Sequence, residues 1–95
     1  MTIQELILKG AKVVDVRTPE EFIGGNVLGS INIPLNEVSQ RIDDFEDIDG
    51  PIILCCLSGG RSGRATGFLQ AQGIECYNGG GWMDVNKALS QGSQD

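Results

Sequence analysis

The sequence predicts an α/β fold in which a small central parallel sheet is flanked by helices on both faces. Short apolar runs alternate along the chain with segments of helical periodicity. Several of these runs are nearly continuous and rich in β-branched residues, as expected of strands that are buried on both faces. Parallel strands need crossover connections, and the alternating helical segments provide them. A length of 95 residues suffices for one domain with a single modest core.

The first half of the chain predicts two strands and three helices. The strands are short apolar runs at residues 12–16 and 30–33. The helices are indicated by N-terminal caps or by apolar residues at helical spacing, and they run from Thr2 to near Gly10, from Thr18 to Gly24, and from Leu35 to Phe45. Pro19 suits the first helical position after the Thr18 cap, because its fixed φ matches a helix. The acidic stretch 43–49 is expected to be a solvated exit loop.

The second half predicts two more strands and two more helices. Apolar runs place the strands at residues 51–55 and 74–77. Helical spacing places one helix at 62–72, ended by Gly73, and another at 82–89. Trp82 is expected to be a core or rim aromatic. Residues 90–95 are expected to form a frayed tail.

The charge balance limits the partners of this protein. Thirteen acidic against seven basic residues give a net charge of −6, which argues against nucleic acid or an anionic membrane as the main partner. The sequence contains no run of about 18 apolar residues, which is the length that a membrane span needs. Any anionic substrate must therefore be held locally, and two of the bases, Arg61 and Arg64, lie beside a cysteine-containing segment. We expect a monomer.

The chain holds no histidine and three cysteines, Cys55, Cys56 and Cys76. A Cys-His nucleophile pair is therefore impossible. The cysteine spacing does not provide the four ligands of a zinc site, so we expect no metal, and we expect no other cofactor. An odd number of cysteines without framework spacing suits a reducing compartment, and Cys76 is expected to be a plain strand residue. The expected location is the cytoplasm, or the periplasm if a signal peptide has been removed.

Cys56 is the candidate nucleophile because it lies where the third strand turns into a helix. A helix N-terminus carries unsatisfied N–H groups and about half a positive charge, which favours a thiolate over a thiol. Gly59 and Gly60 allow the backbone to curl so that several amides point inward, as in anion-binding nests. Parallel sheets bind ligands at the carboxyl ends of their strands, and Cys56 is predicted to lie at one of them.

Four sequence blocks stand out along the chain. They are Val14-Asp15-Val16-Arg17 with Pro19-Glu20-Glu21-Phe22, then Gly29 to Pro34, Cys56 to Ser62, and Gly79 to Trp82. Together they resemble the rhodanese family of sulfurtransferases. The cysteine block matches the family's C-x-x-G-x-R-S loop position by position, and the blocks keep the family's order and spacing. The resemblance covers about residues 11–85 and is to compact single-domain members, such as the phage shock protein E and glycerol-regulon sulfurtransferases. It implies one rhodanese-like domain over residues 1–95.

The resemblance implies a thiosulfate sulfurtransferase in which Cys56 carries a persulfide. Sulfane sulfur would pass from thiosulfate, or from another persulfide donor, to cyanide or to a small-molecule or protein thiol. The residues implied or expected to bind the substrate are Leu57, Ser58, Gly59, Gly60, Arg61, Ser62 and Arg64. Many relatives have a polar or basic residue at the position of Leu57, which leaves the donor preference open.

Two alternatives remain open at this point. Five residues separate Cys55 from Arg61, which also satisfies the C-x5-R loop of cysteine-dependent phosphatases and arsenate reductases. Cys55 would then be the nucleophile, although the apolar run that it completes favours a buried strand position. The other alternative is a non-catalytic rhodanese-like module that binds a partner, which the intact cysteine loop disfavours.

Charged residues around the loop have competing interpretations. Arg61 is expected to bind an anion rather than only to pair with an acid. Arg64 is predicted on the first turn of a helix, where a base opposes the macrodipole, and donor binding and a salt bridge are equally expected. Asp15 and Arg17 are expected to be structural, through caps and ion pairs near the helix that begins after Thr18.

Overall fold

The structure, a computed structural model, describes residues 1–92. Within this part of the chain the strands are β1 (Lys12–Asp15), β2 (Ile31–Asn32), β3 (Ile52–Cys56) and β4 (Cys76–Gly81). The α-helices are α1 (Ile3–Leu8), α2 (Pro19–Ile23), α3 (Ile42–Glu46), α4 (Gly60–Ala71) and α5 (Trp82–Gly92), and a 3₁₀ helix spans Leu35–Gln40. None of these helices is long and apolar enough to cross a lipid bilayer.

The four strands form one parallel sheet in the order β2-β1-β3-β4. In the middle of the sheet, Val14 of β1 pairs with Ile31 of β2 and with Leu54 of β3. In the two central strands, β1 and β3, every residue except Lys12 is buried, because helices cover both faces of these strands. The predicted α/β fold with a small parallel sheet is confirmed.

Side chains of the central strands alternate between two separate cores. The α4-side core packs the sheet against α3, α4 and the 3₁₀ helix, and its buried residues are Val14, Val16, Ile33, Val38, Phe45, Ile52, Leu54, Cys56, Ala65, Leu69 and Cys76. The α5-side core packs the other face against α1 and α5, and its buried residues are Leu6, Val13, Val27, Ile53, Cys55 and Val85. Successive strand residues point to opposite faces, so Cys55 and Cys56 belong to different cores.

The predicted N-terminal caps at Thr2 and Thr18 are present, and each is part of a capping box. Glu5 N–H donates to Thr2 Oγ1 at 3.1 Å, and Thr2 N–H donates to Glu5 Oε1 at 2.8 Å. At the start of α2, Thr18 and Glu21 make the same reciprocal pair, and Pro19 is the first helical residue. These local contacts satisfy N–H groups that have no partner within the helix, which explains why both helix starts were predictable.

The predicted helix from Leu35 to Phe45 is wrong as a single element. Arg41 has φ −121° and ψ 31°, which interrupts the helix and separates the 3₁₀ segment from α3. The apolar spacing that suggested one helix includes intervals of three residues, which a 3₁₀ helix accommodates as well. Part of the expected acidic loop therefore lies within α3, where Asp43 and Asp44 occupy the first turn and favour the helix dipole.

Several other boundaries differ from the prediction, most of them by one or two residues, and β3 is Ile52–Cys56 rather than 51–55. Helix α4 begins at Gly60 rather than at residue 62, and α5 continues to Gly92 rather than ending at residue 89. Residues 90–92 of the expected tail are therefore helical, and residues 93–95 lie outside the described part of the chain. Strand β4 spans Cys76–Gly81 instead of 74–77, so a run of glycines forms half of it.

The glycine run in β4 contains a bulge that brings the backbone close to the sheet neighbours. Asn78 pairs with Leu54 and Gly80 pairs with Cys55, so Gly79 is the extra residue. A Cβ atom at Gly79 would lie 2.6 Å from Ile53 Cγ2 and 2.8 Å from Val85 Cγ2. Only glycine fits between these two side chains of the α5-side core.

Substituting two glycines by alanine should therefore change stability in opposite directions. We expect Gly79→Ala to lower the free energy of unfolding by about 1–3 kcal/mol, the range typical of overpacking a core. Gly67→Ala, in an exposed position of α4 where a Cβ atom meets no other atom within 4 Å, should raise it by about 0.5–1 kcal/mol. Urea unfolding of both variants measures the difference. Equal stability of the two variants would contradict the packing described for Gly79.

Candidate active site

Cys56 is the last residue of β3, and three residues separate it from the start of α4 at Gly60. Its side chain points to the α4-side core and is 1% exposed. The carboxyl end of a central parallel strand is where ligands bind in folds of this kind, as the sequence predicts. Among the loop residues, the side chains of Leu57 and Ser58 face outward, so these two residues can act on the sulfur only through their backbone.

The Cys56 sulfur accepts hydrogen bonds from the backbone that follows it. Gly59 N–H donates to Cys56 Sγ at 3.0 Å, and the backbone N–H groups of Ser58 and Ser62 add to the stabilisation of its thiolate. Gly59 has φ +104°, a left-handed conformation that glycine adopts at little cost. This turn directs its N–H back toward the end of the strand, which forms the predicted nest around Cys56.

These hydrogen bonds lower the pKa of Cys56 from its ordinary value of 9.0 to about 7. Burial acts in the opposite direction, since it favours the neutral thiol. The Ser62 hydroxyl and the N–H groups of Ser62, Gly59 and Ser58 more than offset burial, because they stabilise the thiolate. A substantial fraction of Cys56 is therefore ionised near neutral pH without help from a histidine.

The side chain of Asn78 connects the loop, the helix and the strand that surround Cys56. No sequence pattern indicated this role of Asn78. Its Nδ2 donates to Gly59 O at 3.1 Å, and its Oδ1 accepts from Gly80 N–H at 2.9 Å and from Ser62 Oγ at 2.7 Å. Ser62 Oγ also lies 3.4 Å from Cys56 Sγ. A hydroxyl has one hydrogen, so Ser62 donates either to Asn78 or to the sulfur, and ionisation of Cys56 favours the sulfur.

Cys55 lies on the opposite face of the sheet and is chemically different. Its thiol is fully buried in the α5-side core. Burial raises the pKa of Cys55 to about 12, and the neighbouring carboxylate of Asp15 adds to the increase. Cys55 is therefore neutral at physiological pH and turned away from the Gly59 loop. This geometry opposes the C-x5-R alternative, which requires Cys55 as the nucleophile.

Cys76 is a strand residue, as expected, and is remote from Cys56. It pairs with Ile52 at the beginning of β3, four residues before Cys56. At the rise of a strand this corresponds to about 13 Å. A disulfide needs Cα atoms within about 7 Å of each other, so Cys76 cannot resolve a sulfur adduct on Cys56 in this fold.

Arg61 lies on the first turn of α4 and forms an ion pair with Glu21. Its Nη1 is 2.7 Å from Glu21 Oε1, and its Nη2 is 3.0 Å from Glu21 Oε2. Hydrogen bonds from Arg61, and then from Thr18, lower the pKa of Glu21 to about 2. A guanidinium has about five N–H donors, so those that do not contact Glu21 can still bind an anion.

Arg64 lies on the second turn of α4, because the helix begins two residues earlier than predicted. The dipole argument made for Arg64 therefore applies to Arg61 instead. Arg64 and Arg61 line a groove of about 550 Å³ between α4 and the 3₁₀ helix. The other residues that line it are Val16, Thr18, Pro34, Leu35, Asn36, Val38, Ser39, Ala65 and Phe68.

Asp15 and Arg17 have the structural role that was expected. Arg17 Nη2 lies 2.7 Å from Asp15 Oδ2, and both side chains are buried. Arg17 also donates to the carbonyl groups of Glu21 and Gly25, and its guanidinium stacks 4.8 Å from the centre of the Trp82 ring. The pair thus fixes the chain between β1 and α2.

Among the described residues, no group of three His, Cys, Asp or Glu side chains is placed to hold a metal ion.

The sequence is similar to those of known proteins over most of its length. The family model described as Rhodanese-like domain matches residues 2–88. Thiosulfate sulfurtransferase GlpE of Ectopseudomonas mendocina is 34% identical over 97% of this chain and 89% of its own length. Thiosulfate sulfurtransferase PspE of Escherichia coli is 38% identical over 76% of this chain and 71% of its own length. The uncharacterized protein YqhL of Bacillus subtilis is 45% identical over 72% of this chain, which spans only 54% of YqhL.

Solved structures share the same fold. Reduced CoADR-RHD of Bacillus anthracis superposes with a TM-score of 0.76 and 30% identity, and covers 94% of this chain, which corresponds to only 16% of that larger protein. A structure described as rhodanese with anions from E. coli superposes with a TM-score of 0.70 and 37% identity over 78% of this chain and 89% of its own. The fold and the sequence therefore point to the same family.

The ionisation of Cys56 can be measured by alkylation. We expect the rate of iodoacetamide modification of Cys56 in the folded protein to rise with pH with a midpoint near 7. Ser62→Ala removes a donor to the thiolate and should raise the midpoint by about one pH unit. Ser30→Ala, a remote serine that donates to Val27 O, should leave it unchanged. Peptide mass spectrometry identifies the labelled cysteine. Equal labelling of Cys55 in the folded protein would contradict the site described above.

Proposed function

The chain belongs to the rhodanese-like domain family, and we propose that it is a thiosulfate sulfurtransferase that carries the transferred sulfur on Cys56. The observation that supports this proposal is a Cys56 sulfur at the end of β3 with the Gly59 N–H at 3.0 Å and a pKa of about 7. A nucleophile of this kind needs no base, which is consistent with a chain that has no histidine.

In the first half of the proposed reaction, Cys56 takes sulfur from the donor. Thiosulfate has an electrophilic outer sulfur that is bonded to a good leaving group. The Cys56 thiolate attacks this outer sulfur, the sulfur–sulfur bond of thiosulfate breaks, and sulfite leaves with the electron pair. The product is a Cys56 persulfide anion. The N–H groups around Cys56 stabilise it in the same way as an oxyanion hole stabilises a developing charge.

In the second half, an acceptor removes the outer sulfur. Cyanide or a thiolate attacks that sulfur, the bond to Cys56 breaks, and Cys56 returns as a thiolate that can react again. No metal or organic cofactor enters either half. The persulfide extends the buried Cys56 side chain by one sulfur atom, and that outer sulfur is the atom that the acceptor attacks.

Arg61 is the residue that we propose to bind the anionic donor. It lies on the first turn of α4, lines the groove and keeps N–H donors that Glu21 does not use. Arg64 adds a second positive charge on the same side of the groove. The backbone N–H groups of residues 57–60 and of Ser62 complete the proposed substrate-binding set. Three unpaired cysteines suit a reducing compartment, so we propose a cytoplasmic location.

The first test is a mass measurement. Incubation with thiosulfate should add about 32 Da, one sulfur atom, to a single cysteine of the wild-type protein. The adduct should be absent in Cys56→Ser and present in Cys55→Ser, since only Cys56 faces the nest of N–H groups. Cyanide should remove it and release thiocyanate.

Other outcomes of this measurement, and a phosphatase assay beside it, would identify the alternatives. An adduct that is lost in Cys55→Ser but kept in Cys56→Ser would show that the nucleophile is misassigned. An unmodified Cys56 in a folded protein would favour the non-catalytic module. Hydrolysis of an aryl phosphate at a rate comparable to sulfur transfer would favour phosphatase chemistry.

The role of Arg61 predicts a specific kinetic change. Arg61→Gln should raise the KM for thiosulfate about tenfold, because it removes a charge-assisted contact and leaves the Glu21 carboxylate free to repel the donor. The double variant Glu21→Gln, Arg61→Gln should have a lower KM than Arg61→Gln, since the repelling charge is gone. Arg41→Gln is the control, as Arg41 pairs with Glu37 and Asp44 away from the groove. An unchanged KM in Arg61→Gln would exclude donor binding by this residue.

A further inference from the structure

The side-chain amide of Asn78 has its orientation fixed from two sides. Its Nδ2 donates to Gly59 O at 3.1 Å, and its Oδ1 accepts from Gly80 N–H at 2.9 Å. If the amide were turned over, an oxygen would face the Gly59 carbonyl and an NH₂ group would face the Gly80 N–H, so neither hydrogen bond could form. The atom of Asn78 that contacts Ser62 is therefore Oδ1, which accepts hydrogen bonds and has no hydrogen to donate.

This orientation decides where the hydrogen of the Ser62 hydroxyl points while Cys56 is neutral. Ser62 is fully buried, and its Oγ lies 2.7 Å from Asn78 Oδ1 and 3.4 Å from Cys56 Sγ. Because Asn78 Oδ1 can only accept, the single hydroxyl hydrogen of Ser62 fills that shorter contact. A lone pair of Ser62 Oγ then faces the sulfur, where it can accept the weak S–H donor of the neutral Cys56 thiol.

Ionisation of Cys56 makes this arrangement unfavourable. Without the thiol hydrogen, an oxygen lone pair of Ser62 would face a negatively charged sulfur at 3.4 Å. Rotation of the hydroxyl about its C–O bond turns the hydrogen to the sulfur and forms a charge-assisted hydrogen bond. Asn78 Oδ1 keeps its hydrogen bond from Gly80 N–H, so the amide stays in place while the hydroxyl turns.

We propose that Asn78 is a positioning residue of the sulfur-transfer site, which holds the Ser62 hydroxyl while Cys56 Sγ is neutral and releases it to Sγ when that atom is charged. This inference rests on the proposed sulfur transfer and adds a residue to its machinery. Asn78 acts through Ser62, whose hydroxyl contacts the sulfur, and through Gly59, whose N–H donates to the sulfur.

The charge on Cys56 Sγ changes twice in the proposed reaction. Sγ is negative in the thiolate that attacks the donor, and it is neutral in the persulfide, where the negative charge lies on the outer sulfur. The hydroxyl of Ser62 therefore returns to Asn78 in the persulfide. When an acceptor takes the outer sulfur, the sulfur–sulfur bond breaks and Sγ leaves with the electron pair. The hydroxyl then turns back to Sγ and stabilises the charge that develops there.

The test measures how much Ser62 contributes to the ionisation of Cys56 when Asn78 is changed. The rate of iodoacetamide modification of Cys56 is followed against pH, and its midpoint is compared before and after Ser62→Ala. The comparison is made in the wild type, in Asn78→Ala, which removes the amide, and in Asn78→Asp, which keeps an acceptor of the same shape and gives it a charge. Effects of the Asn78 substitution on the Gly59 turn are common to both members of each pair, so they cancel.

The ionisable groups around Cys56 are also common to both members of each pair. They lie on α4, on β3, at the end of β1 and on the first turn of α5, beside the Gly81 that pairs with Cys56. These groups are Arg61 with its partner Glu21, Cys55, the ion pair of Asp15 and Arg17, and Asp84. Their influence on the midpoint therefore cancels in the same way.

In the wild type, Ser62→Ala should raise the midpoint by about one pH unit. In the Asn78→Ala background it should raise the midpoint by about one and a half units, because no amide then competes with the sulfur for the hydroxyl. In the Asn78→Asp background the increase should fall below about half a unit, since a carboxylate holds the hydroxyl more strongly than an amide does. Asn86→Ala, at an exposed asparagine of α5, is the control background and should keep the wild-type increase.

An increase that is the same in all the backgrounds would overturn the inference, because Asn78 would then only support the fold of the loop. A larger increase in Asn78→Asp than in Asn78→Ala would overturn it as well. If Asn78→Ala does not fold, Asn78→Asp decides alone, since its acceptor for Gly80 N–H is retained and the smaller increase is still expected.

Alkylation requires no sulfur donor, so it tests Asn78 separately from the proposed function, which fails if thiosulfate adds no sulfur to Cys56. Once the persulfide is formed, its discharge by cyanide in a single turnover reports on the second half of the reaction. Ser62→Ala should slow this step about threefold in the wild type, because a less acidic thiol leaves more slowly. In the Asn78→Asp background it should hardly slow it, and equal slowing in both would contradict the role of Asn78.

Discussion

The site depends on one backbone turn, the left-handed conformation of Gly59. A chain without histidine must stabilise its thiolate by other means, and the turn at φ +104° directs the Gly59 N–H to Cys56 Sγ. The same turn packs against β4, where a Cβ atom on Gly59 would lie 3.3 Å from Gly80 Cα. Strand β4 can come this close because it lacks side chains there and bulges at Gly79. The turn that serves the reactive sulfur and the strand at the edge of the sheet therefore meet at two glycines. Gly59 lies on the side of the turn, and Gly80 lies on the side of β4.

The alternation of side chains along β3 separates two neighbouring cysteines into different chemical environments. Cys56 is the last residue of the strand and is stabilised by backbone N–H groups, which lower its pKa to about 7. Cys55 points the other way into an apolar core next to Asp15, and its pKa rises to about 12. The difference does not come from exposure, since both thiols are buried. It comes from hydrogen-bond donors, because burial opposes ionisation of both residues and only Cys56 has N–H groups that offset it.

Contacts between residues that are close in sequence were predictable, whereas contacts between residues far apart in sequence were not. The capping boxes at Thr2 and Thr18 lie within four residues, and the Cys56 loop is continuous in sequence, so both were predicted. The contacts of Asn78 join residues up to 19 positions apart, and the pair of Arg61 with Glu21 joins residues 40 apart, so no local pattern indicates either. The glycine half of β4 was missed for a related reason. Glycine has a low β-propensity, and only pairing with β3 keeps this segment extended.

Glu21 connects the start of α2 to the charge of the site. The same carboxylate caps α2 through Thr18 and neutralises part of Arg61. In the proposed reaction both the donor and the released sulfite are anions, so a site that bound anions very tightly would be blocked by its own product. Around Cys56 the structure places neutral N–H donors and an arginine that already shares its charge with a carboxylate, an arrangement that stabilises the thiolate with little excess positive charge. In the proposed reaction this arrangement would direct binding energy to the reacting sulfur, where charge changes during transfer, rather than spread it equally over donor and product.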